Sequence, residues 1–105
     1  MDLINEKLMK ELSLKAFQVE NAIKLIDEGN TIPFIARYRK EATGEMSDEQ
    51  LRDFFERLTY LRNLEKRKEE VIRLIDEQGK LTDELKSNIE KSETMTEVED
   101  LYRPY

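Results

Sequence analysis

Neither cysteine nor histidine occurs in this chain of 105 residues. Without cysteine there is no disulfide framework and no thiolate chemistry, which suits a reducing cytoplasm. With both residue types missing, metal ligation by nitrogen or sulfur and the Ser-His and Cys-His nucleophilic pairs lose their raw material. Only three glycines are present, scattered singly at Gly29, Gly44 and Gly79, so no glycine loop is available to cradle a phosphate. No apolar run approaches the roughly 20 residues of a membrane span, and Met1 and Asp2 begin no basic-then-apolar leader. Strand-period alternation, internal repeats and low-complexity tracts are missing too. These absences predict a cytoplasmic, non-catalytic protein with no cofactor, no metal and no membrane segment; a hydrolase would want both nucleophile and metal ligands.

What is present is charge arranged on helical periodicity. Charged residues make up 40% of the chain against 38% hydrophobic, a balance that fits long, partly exposed amphipathic helices around one modest core. Leu3, Ile4, Leu8, Met9 and Leu12 share one stripe, and Ser13 offers an N-cap to a second helix carrying Phe17, Val19, Ala22, Ile23 and Ile26. Thr31 caps a third, short helix with Pro33 in its first turn. After the turn at Gly44 and Glu45, the Ser47 hydroxyl and Gln50 side chain form a capping box, with Met46 and Leu51 as its hydrophobic staple. The helical pattern then runs on to Gln78.

Helices are expected near residues 2–12, 14–28, 32–40, 48–78, 83–91 and 95–102. The predicted fold is all-α, an elongated multi-helix array built around one long helix at about residues 47–78. That helix would reach roughly 46 Å at 1.5 Å per residue, against a diameter of roughly 33 Å for a compact globule of this length. Its apolar seam runs through Leu51, Phe54, Phe55, Leu58 and Leu61, thins to Leu64 alone between residues 62 and 70, and resumes at Val71, Ile72, Leu74 and Ile75. Two packing sites flanking a wet stretch are expected. Thr82 begins the next helix, and Thr94 with Glu97 makes a second capping box for the last.

The formal charge is −6, so the chain as a whole repels phosphate. The charge is uneven. Residues 31–42 hold Arg37, Arg39 and Lys40 against Glu41, a net +2, whereas residues 76–105 hold four basic against nine acidic residues. Residues 52–73 carry seven basic and five acidic residues; there Arg62, Lys66, Arg67 and Lys68 are offset by Glu65, Glu69 and Glu70 at helix-neighbour spacing and read as a solvated face. Glu97, Glu99 and Asp100 lack the loop glycine and alternating oxygens of a calcium site and read the same way.

The candidate contact residues are Arg37, Tyr38, Arg39 and Lys40. A core explains Ile32, Phe34, Ile35, Ala36 and Tyr38 but does not ask for three cations on the same short turn. Cations beside an aromatic ring are the ingredients for gripping phosphate and stacking a base. Alternatively, Arg37 or Arg39 pairs with Glu41 or Asp48 while Tyr38 packs in the core; the acidic balance favours this second reading.

The run Thr31-Ile32-Pro33-Phe34-Ile35-Ala36-Arg37-Tyr38-Arg39-Lys40-Glu41-Ala42-Thr43-Gly44, followed in order by Leu58-Thr59-Tyr60-Leu61-Arg62, Glu77-Gln78-Gly79-Lys80-Leu81-Thr82 and Glu99-Asp100-Leu101-Tyr102-Arg103-Pro104-Tyr105, resembles the N-terminal region of the bacterial Tex family of transcription accessory proteins. The chain departs from that pattern at Glu45, where many members carry a second glycine. The resemblance implies that residues 1–105 are a helical domain cut from a larger cytoplasmic protein, continuing into ribonuclease-H-like, helix-hairpin-helix and S1 domains. It also implies kinship with a eukaryotic transcript-elongation factor that handles histones. The partners implied are those later domains, nucleic acid, chiefly RNA, bound through the parent protein, and components of the transcription machinery. The expected role of this segment is a helical scaffold; direct nucleic-acid contact through Arg37 to Lys40, or docking on transcription or translation machinery, are the alternatives.

Overall fold

The computed structural model describes residues 2–105. Among them every regular element is helical: α1 (Leu3–Leu12), α2 (Ala16–Asp27), α3 (Ile32–Tyr38), α4 (Lys40–Thr43), α5 (Asp48–Glu77), α6 (Asp83–Lys91) and α7 (Met95–Tyr102). The all-α expectation and its single long helix are both met. α5 has 30 residues, or about 45 Å at 1.5 Å per residue. Its start is the capping box read from the sequence: the Gln50 amide donates to Ser47 Oγ at 3.1 Å and the Ser47 amide to Gln50 Oε1 at 2.9 Å.

The chain divides into two compact units, Met1–Tyr60 and Leu61–Tyr105, in place of a single core. In the first, α2 packs on α1 and α4, and Leu8, Val19, Ala22, Ile35, Met46, Leu51, Phe54 and Leu58 are buried. Phe17 and Phe55, assigned to apolar stripes on spacing alone, are both 44% exposed. Ser13 does not cap α2. It ends α1 in the left-handed region, at φ 55°, its amide bonded to Met9 O, and a residue held there lacks the extended conformation an N-cap needs. Lys15 takes the cap position instead, its amide donating to Gln18 Oε1 at 3.0 Å.

The helix expected over residues 32–40 is broken at Arg39, whose backbone turns to φ −128°, ψ 36°. The short α4 that follows is tied down from α2: Gln18 Nε2 donates to Thr43 O at 2.9 Å and Asn21 Nδ2 to Ala42 O at 2.8 Å. Two carbonyls at a helix end, orphaned by geometry, are satisfied by side-chain amides more than twenty residues away. Continuing α3 straight through Arg39 would forgo both bonds.

In the second unit α6 packs on α7, around Leu61, Leu64, Val71, Ile75, Ile89 and Val98. The stretch expected to be wet, residues 62–70, is exposed at Arg62, Asn63, Lys66, Glu69 and Glu70 but does not interrupt the seam: Leu64 is fully buried and Lys68 is only 3% exposed. The Lys68 stem lies inside while its ammonium donates to Glu90 O at 2.8 Å and meets Glu65 Oε1 at 3.3 Å. Glu90 is in the last turn of α6, so a cation sits on an unpaired carbonyl at the negative end of a helix. Arg67, also expected on a solvated face, instead forks onto Glu99 of α7, with Nη2 to Oε2 at 3.0 Å, while its guanidinium lies over the Tyr102 ring.

Candidate functional site

The α3–α4 corner is assembled from a short helix that buries one residue and a break that redirects the chain. Thr31 Oγ1 accepts the Phe34 amide at 3.3 Å to start α3, with Pro33 in the first turn. Ile35 alone of α3 is fully buried. The helix therefore turns Arg37 and Tyr38 outward, and the Arg39 break brings Arg39, Lys40 and Glu41 to the surface beside them. Thr43 is buried below, its hydroxyl and amide both donating to Arg39 O at 3.3 Å. Arg37, Tyr38, Arg39, Lys40, Glu41 and Ala42 line a recess of about 400 Å³.

The four candidate residues are thus brought together, but not as the ion-pairing alternative had them. Tyr38 is 58% exposed, not in the core. Asp48 pairs with Arg52, and among the described residues no ion pair reaches Arg37, Arg39 or Lys40. The two guanidiniums lie on rings instead: Arg37 over Tyr38 at 5.4 Å and Arg39 over Phe34 at 5.0 Å, while Arg39 Nη1 also donates to Tyr38 O at 3.0 Å. The rings are themselves in contact, with centroids 5.2 Å apart and planes tilted by 46°. Each exposed stack contributes about 0.5–1 kcal/mol, and a guanidinium held by its face keeps its in-plane N–H groups for an oxyanion. The sequence reading puts Phe34 in the core and Glu41 in an ion pair; here Phe34 instead carries the Arg39 guanidinium and Glu41 lines the recess. The i, i+4 spacing of Phe34 and Tyr38 was the available signal for the ring pair.

Elsewhere the charges serve the fold. Glu97 Oε2 accepts the Glu93 amide at 2.7 Å, and its own amide donates to Thr94 Oγ1 at 3.1 Å. Asp100 pairs with Arg103 at 3.0 Å, and Glu99 holds Arg67 rather than facing solvent unpaired. The bond from Arg67, opposed by desolvation and reinforced by charge attraction, keeps the Glu99 carboxyl below its ordinary pKa. Among the described residues no group of three or more acidic side chains is placed to hold a metal ion, and no helix is long and apolar enough to cross a membrane.

The family described as Tex-like protein N-terminal domain matches residues 2–76. The chain is 56% identical over 103 residues to protein YdcI of Bacillus subtilis, covering 98% of this chain and 14% of that protein. It is 55% identical over 102 residues to the transcriptional accessory protein Tex of Neisseria gonorrhoeae, covering 97% of this chain and 14% of that protein. It is 32% identical over 98 residues to the human S1 RNA-binding domain-containing protein 1, covering 93% of this chain and 10% of that protein. The chain therefore spans about a seventh or less of the length of these relatives. With the family match across most of its length, and with the run from Thr31 to Gly44 forming the α3–α4 corner, this chain belongs to the Tex-like protein N-terminal domain family.

Proposed function

We propose that this chain is a non-catalytic helical scaffold module of a larger transcription accessory protein. The observation that carries the reading is the unbroken α5, from Asp48 to Glu77, which supplies core residues to both compact units. A helix that runs through both sets of packed helices suits an architectural part of a larger protein. The bacterial relative named Tex is a transcriptional accessory protein, and the human relative's name places an S1 RNA-binding domain in a protein that contains a similar segment. RNA binding is accordingly assigned to the parent protein, through such a domain, in the cytoplasm. This segment contributes architecture, in contact with later domains and, through the whole, with transcription machinery.

Direct nucleic-acid contact by the Arg37 to Lys40 turn is a second reading, favoured by the exposure of Tyr38 beside three cations that form no ion pair among the described residues. Fluorescence anisotropy against single-stranded RNA separates the two. On the scaffold reading the 105-residue chain binds weakly or not at all while the longer protein binds. Micromolar binding by this chain, abolished by R37E/R39E/K40E, would overturn it in favour of direct contact.

A further inference from the structure

Among the described residues, arginines hold carboxylates in both units: Arg52 with Asp48, Arg57 with Glu11, Arg67 with Glu99, Arg73 with Glu77 and Arg103 with Asp100. Arg37 and Arg39 have no such partner among the described residues, although the chain has 24 acidic residues to offer. They are stacked on Tyr38 and Phe34, next to Lys40, around a recess that the protein's own side chains leave open. We propose that the α3–α4 corner docks an acidic polypeptide segment, whose carboxylates are held by Arg37, Arg39 and Lys40 while an apolar side chain lies on the exposed Tyr38 ring. This rests on the scaffold reading and names the chemistry of the neighbour that the module meets.

Charge complementarity favours a carboxylate-bearing chain over a nucleic-acid strand. The corner is net +2 in a chain of net −6, and Glu41 itself lines the recess. A phosphodiester strand carries a charge at every nucleotide and must continue past the three cations over an acidic protein, inside a screening length of roughly 8 Å at physiological salt. A peptide places carboxylates only where the forks are and brings backbone N–H groups for Glu41. Tyr38, moreover, already has Arg37 over its ring and Phe34 against it, which leaves less of the ring for a stacked base. The corner is also preformed: Gln18 and Asn21 fix α4 to α2, and the stacked guanidiniums lose little further freedom when an anion arrives.

The test is an NMR titration of the ¹⁵N-labelled 105-residue chain with three probes of matched length. These are a glutamate-rich peptide with one central leucine, the same peptide with glutamine for glutamate, and oligouridylate. Amide shifts confined to residues 34–42 are expected with the glutamate peptide alone, weakened by salt and at least about tenfold weaker in R37E/R39E, as for loss of charge-assisted pairs. R37K/R39K keeps the charge and removes the planar fork, and is expected to weaken binding as well; retained circular dichroism confirms that these surface variants fold. The proposal is overturned if the glutamate peptide moves no resonance in residues 34–42, if R37E/R39E binds it unchanged, or if oligouridylate produces the shifts instead. Oligouridylate binding would sink the scaffold reading too, whereas failure of the peptide alone leaves that reading standing.

Discussion

At Gly44 and Glu45 two successive residues hold positive φ, 63° and 64°. The first has no room for a side chain. A Cβ built there would lie 2.7 Å from Gln18 Nε2 and 3.1 Å from Phe17 Cζ, and Gln18 Nε2 is the donor that holds Thr43 O. Gly44→Ala is expected to lose about 1–2 kcal/mol from left-handed strain and more from displacing Gln18, read as a lowered midpoint in thermal unfolding. Glu45→Gly removes the strain at the second position and adds freedom to the unfolded chain, so a gain of up to about 1 kcal/mol is expected in the same measurement. The turn was legible in the sequence from Gly44 and Glu45. The clash with Gln18 was not, because 26 positions separate it from Gly44. Ser13 failed to read correctly for a different reason: serine suits an N-cap, yet this one closes the preceding helix in the left-handed region.

Elements are joined in the second unit by polar atoms buried beside apolar ones. Lys68 reads as a surface cation in any periodicity count, which is why the seam of α5 thinned to Leu64 on paper. In the fold its stem continues the line from Leu64 to Val71 and its ammonium closes the end of α6 on Glu90 O. Lys68→Ala removes both and is expected to cost about 1–3 kcal/mol in urea unfolding, through the unsatisfied carbonyl and the lost packing. Lys68→Met keeps most of the stem and is expected to cost less. The tie between α5 and α7 is pH-dependent. Glu99 has a folded pKa below its ordinary 4.5, through the bond from Arg67. Its contribution is therefore complete above that value and disappears as the pH falls through the lowered one. Stability measured from pH 6 downward should drop less below about pH 4.5 in Glu99→Gln than in the native chain; an identical acid profile would remove Glu99 from the account. The helices and their caps came from spacing and capping residues. The Arg67 fork did not, because its partner lies 32 positions away on another helix.

Across the whole molecule, α5 belongs to both units, passing from Tyr60 to Leu61 without interruption. Its length was legible, since no glycine or proline falls between Ser47 and Gln78 and the capping box marks its start. That its buried positions divide between two cores was only half legible: two packing sites were anticipated, but a single domain core was expected to hold the chain. Helix formation is cooperative, so the backbone of α5 links the stability of the units wherever it stays unbroken. Asn63 lies on its exposed face near the boundary, where a substitution disturbs the backbone rather than either core. Asn63→Pro removes the amide of residue 63 from the helical ladder and drives its ring against the preceding turn, at a cost of about 3 kcal/mol or more. If α5 transmits stability between the units, the native chain unfolds in denaturant as one transition. Asn63→Pro should then show two, each with a smaller dependence on denaturant because each exposes less surface. Asn63→Ala, which favours the helix, should keep the single transition and raise its midpoint slightly. One sharp transition in the proline variant, at a lower midpoint but with the native slope, would mean that the units do not depend on the continuity of α5 and would remove the principal support for its role as a scaffold.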